Sequence, residues 1–146
     1  MTGKDEYYNR AKQEGYRARS AYKLQQLDGT ADLLDRDDTV LDLGAAPGGW
    51  LQVAAERVGP GGRVVGVDRQ RIDPLEEPEP ETTYIRADVT ETETATEVRT
   101  GLAGGEQPVD VVLSDMAPNM TGEYDLDHAR SVHLARQAFE LAEALL

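Results

Sequence analysis

The residues best suited to chemistry lie where apolar runs end. Val40-Leu41-Asp42-Leu43 leads into Gly44-Ala45-Ala46-Pro47-Gly48-Gly49, and a helix-like stretch follows from Trp50 to Arg57. A glycine-rich turn between strand and helix lets the main chain approach a ligand beside a helix N-terminus, where unpaired N–H groups accept polar or negative atoms. A second run, Arg63 to Val67, ends in Asp68, twenty positions after Gly48. A carboxylate at that spacing takes the ribose hydroxyls of a nucleotide. A later run, Val109 to Ser114, leads into Asp115-Met116-Ala117-Pro118-Asn119. In a parallel sheet the carboxyl ends of strands face one crevice, which would put Asp115 and Asn119 beside the reactive end of the bound molecule.

The spelling of the turn narrows the ligand. A dinucleotide fingerprint spaces its glycines G-x-G-x-x-G so that a pyrophosphate can rest on main-chain amides. Here Gly44 is followed by Ala45, Ala46 and Pro47, and proline has no N–H to donate. No Lys-Ser or Lys-Thr follows Gly49, as a phosphate-gripping P-loop would require. The turn suits a nucleoside without phosphates, and S-adenosylmethionine is the expected cofactor, with another nucleotide or a merely structural turn as the alternatives.

The elements that must position these residues follow from periodicity. Strands are predicted over Thr39–Leu43, Arg63–Val67, Thr83–Ala87 and Val109–Ser114, alternating with helices. Gly15–Leu27 is predicted helical with Ala21, Leu24 and Leu27 inward. Thr90–Leu102 reads as a threonine-rich helix. The prolines and acids between Arg69 and Thr82 read as a solvated loop. From about Asp127 to Leu146 a last helix is predicted, with Val132, Ala135, Phe139, Ala142 and Leu146 along one apolar side and no stop signal at its end.

A chain of 146 residues is one domain's worth. No apolar run approaches the roughly 20 residues of a membrane span, and Met1 to Asn9 lacks the apolar segment of a signal peptide. No membrane partner and a cytoplasmic location are expected. There is no cysteine, so disulfides and thiolate metal sites are excluded. The two histidines, His128 and His133, have neither a third histidine nor a cysteine as partner, so they read as structural and no metal is expected.

Charge is uneven. The chain has 28 acids against 15 basic residues, only three of them lysines, for a net of −13. Residues 1–24 carry +3, which leaves −16 for the remainder. Tyr7, Tyr8, Tyr16 and Tyr22 lie among the cations of that basic arm, which includes Arg17 and Arg19. Rings interleaved with arginine suit RNA, stacking on bases while guanidinium groups meet phosphates. The same arm reads equally as an amphipathic helix packed on the sheet with its charges in water.

Three separated motifs give a resemblance over nearly the whole chain. Gly15-Tyr16-Arg17-Ala18-Arg19-Ser20-Ala21-Tyr22-Lys23-Leu24, Asp42-Leu43-Gly44-Ala45-Ala46-Pro47-Gly48-Gly49-Trp50 and Ser114-Asp115-Met116-Ala117-Pro118-Asn119 together resemble the FtsJ/RrmJ family of RNA ribose 2′-O-methyltransferases. One departure is Ala18-Arg19-Ser20 where the family usually has Ser-Arg-Ala. The resemblance implies a Rossmann-like class I S-adenosylmethionine-dependent α/β fold. It comprises a basic N-terminal helix over 1–27 and a cofactor-binding α/β part over 28–146 of a single methyltransferase domain. It implies cofactor contacts at Gly48, Trp50, Asp68, Asp88 and Asp115, with Asp88 near the adenine. Catalysis in the family uses a Lys-Asp-Lys-Glu tetrad, whose first two members match Lys23 and Asp115. The other two come from strands beyond the last helix, so the chain is expected to be truncated after its fourth strand and the following helix.

The implied reaction is methylation of a ribose in RNA, with a uridine of large-subunit (23S) ribosomal RNA as the first candidate target. The alternatives are a tRNA 2′-O-methyltransferase of the same family and a truncated module that binds S-adenosylmethionine or RNA without transfer. An acidic, lysine-poor surface is suited to high salt, where the Debye length falls to about 3 Å at 1 M and self-repulsion is screened. Joined to the resemblance, it points to a haloarchaeal member. On dialysis from molar salt into dilute buffer the chain is expected to lose its far-UV circular dichroism; an unchanged spectrum would refute the halophilic reading.

Overall fold

A computed structural model of the chain describes residues 15–76, 80–91, 93–101, 109–115, 136 and 139–145. In chain order its elements are α1 (Ser20–Ala31), β1 (Thr39–Leu43), α2 (Gly49–Val58), β2 (Arg63–Asp68), β3 (Glu81–Arg86), α3 (Thr94–Gly101) and β4 (Val111–Ser114). Residues 139–145 are also helical. The strands form one sheet of order β3-β2-β1-β4, and each adjacent pair runs parallel. The fold class is thus the α/β one read from the sequence.

Burial explains the strand composition. All five residues of β1 are buried, as a strand covered on both faces requires. Alternate side chains point to opposite faces, and two apolar clusters result. Val40, Val64 and Leu113 join Ala21, Leu24, Trp50, Leu51 and Val53 from α1 and α2. Leu41, Leu43, Val65 and Val67 join Val98 of α3 and Leu141 and Leu145 of the last helical segment. Helices therefore cover both sheet faces, a three-layer arrangement. The periodicity puts Asp42, Gly66 and Asp68 on the α1/α2 face, between the apolar residues that point the other way.

Three sequence expectations shift. The first helix starts at Ser20 rather than Gly15 and runs to Ala31. Gly15 has φ +83°, and the Gln52 side chain captures the next residues, accepting from Arg17 N at 2.7 Å and donating to Gly15 O at 2.9 Å. Those side-chain bonds replace helical ones. Leu27, expected inward, is 43% exposed, while Asp28 is buried. Asp28 takes the inner position because its carboxylate accepts Leu34 N at 2.8 Å and pairs with Arg57 at 3.3 Å. In the last helical segment Leu141 and Leu145 are buried and Phe139 is 64% exposed, so the apolar side lies one position from the expected one. Arg99 donates to Ala144 O at 2.7 Å there, and Val109 N donates to Leu145 O at 3.4 Å.

The other elements move by small amounts. β1 has the expected bounds, β2 extends to Asp68, β3 begins earlier at Glu81, α3 starts at Thr94, and β4 starts at Val111. Asp110 stays tied to β1 by accepting Thr39 N at 2.7 Å and donating to Thr39 O at 2.9 Å. His128, His133, Asn119, the first fourteen residues and most of the stretch from Asp127 lie outside the described residues.

The approach of α2 to β2 depends on Gly66. A Cβ there would stand 2.7 Å from Leu51 Cδ1 and 3.1 Å from Ile72 Cδ1, and both side chains are buried. Gly66→Val is expected to destabilise the fold by about 1–3 kcal/mol through overpacking. Guanidinium titration in high salt checks this, and an unchanged midpoint would show that α2 can shift without loss.

Candidate active site

The parallel register aligns the strand ends that carry the acids. Leu43 pairs with Val67 of β2 and with Ser114 of β4. Asp68 and Asp115 therefore follow directly on residues level with the end of β1, and Asp42 lies one residue before it. The glycine-rich turn starts at that point and leans on β2: Gly44 N and Ala45 N donate to Val67 O at 2.7 and 3.0 Å. Ala46 N donates to Asp68 Oδ2 at 3.0 Å, and Gln70 N to Asp68 Oδ1 at 2.8 Å. Asp68 thus fixes the turn while keeping further lone pairs for hydroxyl donors.

Gly48 caps α2 with φ +117°, a conformation that favours glycine. The first-turn amides of any helix lack intrahelical acceptors, so the N-terminus of α2 offers donors beside Asp68. Trp50 meets this site with its main chain. Its indole is buried in the core, and Nε1 donates to Ser20 O at 2.8 Å, which docks the start of α1 onto α2. Asp88 lies two residues beyond β3, near Asp68, whose carbonyl accepts Ala87 N at 3.0 Å. The Thr90 hydroxyl and N–H donate to Asp88 Oδ1 at 2.7 and 2.9 Å and hold its carboxyl below the usual range.

Lys23 and Asp115, 92 positions apart in sequence, come together with Lys23 Nζ 3.9 Å from Asp115 Oδ1. Both side chains are largely exposed, at 64% and 45%. Such a pair adds at most about 1 kcal/mol to stability, and less in salt. Its importance is positional. α1 holds a cation over the end of β4, where it faces the crevice.

Asp42 had no role assigned beyond its place in the motif. It is 1% exposed, and its Oδ2 has no hydrogen-bond partner among the described residues. Burial pushes its carboxyl well above the ordinary range, and the Asp115 and Asp68 carboxylates add to the effect. The signal was available: a charged residue inside a strand that otherwise reads as buried on both faces. Arg17 was read with the RNA-facing charges. Its guanidinium donates to main-chain carbonyls of Pro47, Asp73 and Pro74, while Arg19 is exposed. A separate cavity of about 250 Å³ beside β3 is lined by Gln70, Arg71, Ile72, Pro74, Tyr84, Ile85 and Arg86. It includes none of the expected site residues, so the strand-end chemistry, not the concavity, marks the site. Among the described residues no acidic or histidine cluster could hold a metal ion, and no helix is long and apolar enough to cross a membrane.

Parallel strands in the order 3-2-1-4, with a glycine-rich turn after β1 and acids at the adjoining strand ends, define a Rossmann-like methyltransferase fold. Residues 16–146 match the model of the FtsJ-like methyltransferase family, and the chain belongs to that family. It is 70% identical, over its whole length, to the ribosomal RNA large subunit methyltransferase E of Haloarcula marismortui, of which it covers 57%. It is 68% identical to the protein of that name from Halorubrum lacusprofundi, covering 53% of it. The chain thus spans about half the length of these haloarchaeal relatives. A crystal structure assigned as a ribosomal RNA methyltransferase from Plasmodium falciparum superposes with a TM-score of 0.77 at 27% identity, covering 90% of this chain and 72% of that one.

Asp42 generates a pH-dependent expectation. A carboxyl whose native pKa is raised above its unfolded value of about 3.9 contributes to stability while protonated and loses that contribution as pH rises through the native value. Asp42→Asn is therefore expected to raise the melting temperature at pH 7 and to change it little at pH 4. Equal shifts at both pH values would show that ionising Asp42 does not burden the fold.

Proposed function

We propose that this chain is the cofactor-binding part, within a single methyltransferase domain, of an enzyme that uses S-adenosylmethionine to methylate a ribose 2′-hydroxyl in RNA. A uridine of large-subunit ribosomal RNA is the proposed target. The observation that carries this reading is the meeting of Lys23 with Asp115 at 3.9 Å, on the strand end next to the glycine-rich turn. The names of the relatives support the choice of RNA.

The residues present suit the cofactor. The Asp115 and Asp68 carboxylates both act on the buried Asp42, and negative charge at these strand ends repels phosphate while favouring a cation. S-adenosylmethionine is a phosphate-free nucleoside that carries a sulfonium and an ammonium group. The α2 amides at Gly48 and Trp50 would meet its polar atoms, Asp68 the ribose hydroxyls and Asp88 the adenine side. Asp42 and Asp115 would face the positive charge. When bound, the cofactor supplies an activated methyl group, so the protein's remaining task is alignment of the acceptor and removal of one proton. Lys23 would hold the acceptor ribose at the crevice, oriented by Asp115. No metal enters this scheme.

The share of the relatives' length that the chain spans favours a second reading for the chain by itself, a module that binds cofactor and RNA without transfer. One experiment separates the two. The chain, and a chimera joining it to the C-terminal remainder of the Haloarcula marismortui relative, are assayed for tritiated-methyl transfer to unmodified large-subunit RNA in molar salt. The chimera is expected to transfer methyl groups to a ribose 2′-oxygen and to lose about 100-fold or more in rate on Lys23→Ala or Asp115→Ala; the chain alone is expected to transfer none. Transfer by the chimera that survives both substitutions would remove this pair from the chemistry.

A further inference from the structure

We propose that Arg17 is a positioning residue for the cofactor site, tying the arm before α1 to the two loops that frame the cofactor. This rests on the reading that the site takes S-adenosylmethionine. The Arg17 guanidinium spans two separate chain segments. One nitrogen donates to Pro47 O in the glycine-rich turn at 3.1 Å and also to Asp73 O; the other donates to Pro74 O at 2.6 Å. Asp73 and Pro74 belong to the loop that leaves Asp68 at the end of β2. Its far end is anchored separately by Leu75 N, which donates to the Tyr84 hydroxyl at 2.7 Å.

The clamp is held from behind. Arg17 N donates to Gln52 Oε1 of α2 at 2.7 Å, and the side chain passes so close to Gly48 that a Cβ there would lie 2.9 Å from Arg17 Nη1. The missing side chain at Gly48 therefore admits the arginine as well as allowing the turn. All three acceptors are main-chain carbonyls, divided between two guanidinium nitrogens, a reach that a lysine ammonium, whose three donors share one nitrogen, does not reproduce. Arg17 thereby sets the distance between the turn that follows Asp42 and the loop that follows Asp68. The same backbone continues into α1, which carries Lys23 to Asp115. Placement of the cofactor and placement of the RNA-facing cation are mechanically joined through one residue.

Calorimetric titration of S-adenosylmethionine into the 146-residue chain in molar salt tests the assignment. Arg17→Ala is expected to weaken binding about 10- to 100-fold, the scale of lost hydrogen bonds to a charged group. Arg17→Lys should keep the charge but recover only part of the affinity. Arg19→Ala, an exposed change of equal charge, should leave it unaltered. Native far-UV circular dichroism, together with buried-type emission from Trp50, the one tryptophan, shows that the variant is folded with its arm docked. Folded Arg17→Ala protein with wild-type affinity would overturn the proposal. If Arg17→Ala does not fold, Arg17→Lys decides, and wild-type affinity in that variant overturns it equally. Wild-type chain that binds no S-adenosylmethionine would instead remove the functional reading, and this inference with it.

Discussion

Negative charge held together by strand register is the constraint around which the site is organised. Because β1, β2 and β4 run parallel and in step, Asp42, Asp68 and Asp115 cannot be spread apart without breaking the sheet. Each is answered differently. Asp68 receives two main-chain amides, Ala46 N and Gln70 N; Asp115 has the Lys23 ammonium. Asp42 is buried, and its Oδ2 has no partner among the described residues. A buried carboxyl in that position is costly as an anion, and its pKa is raised accordingly.

The second feature follows from the first. A cation at Lys23 can answer Asp115 only if α1 is fixed over the sheet, and the fixing is done by groups that precede or face the helix. Trp50 donates to Ser20 O, Gln52 pairs with the main chain of Gly15 and Arg17, and Tyr16 OH meets Glu56 of α2 at 2.8 Å. These bonds all come from α2, the helix whose N-terminus closes the glycine-rich turn. One helix therefore orients both the turn and the arm, and a displacement of α2 would reach both sides of the crevice together.

Much of this was legible in the sequence, for definite physical reasons. β1 had the expected bounds because a short, largely apolar strand bounded by polar Asp38 and a glycine turn leaves little choice. The strand-end placement of Asp68 and Asp115 followed from the same alternation of strands and helices. Where the reading failed, tertiary partners decided. Leu27 faces outward because Asp28 found Arg57 and the Leu34 amide, and helical periodicity cannot register a carboxylate satisfied by a distant arginine. The bonding of Arg17 was hidden because its acceptors are main-chain carbonyls, which every sequence has and no residue type advertises. The docking of α1 by the Trp50 indole, through its bond to Ser20 O, was equally hidden, since again the acceptor is a main-chain carbonyl.

The arm's basic residues stand on a strongly acidic body. In molar salt the Debye length is about 3 Å, so neither the repulsion from the −16 borne by residues 25–146 nor the attraction of the +3 arm acts at a distance. Only contact-range interactions remain, and hydrogen bonds survive screening that abolishes steering. The described cations of the arm follow that logic. Arg17 is committed to three carbonyls and Lys23 to Asp115, which leaves Arg19 exposed. A charge used this way supplies geometry more than potential. Arg17 and Lys23, the arm's described cations with partners, thus supply geometry at contact range, where screening by salt costs a hydrogen bond or a close ion pair less than it costs a long-range field.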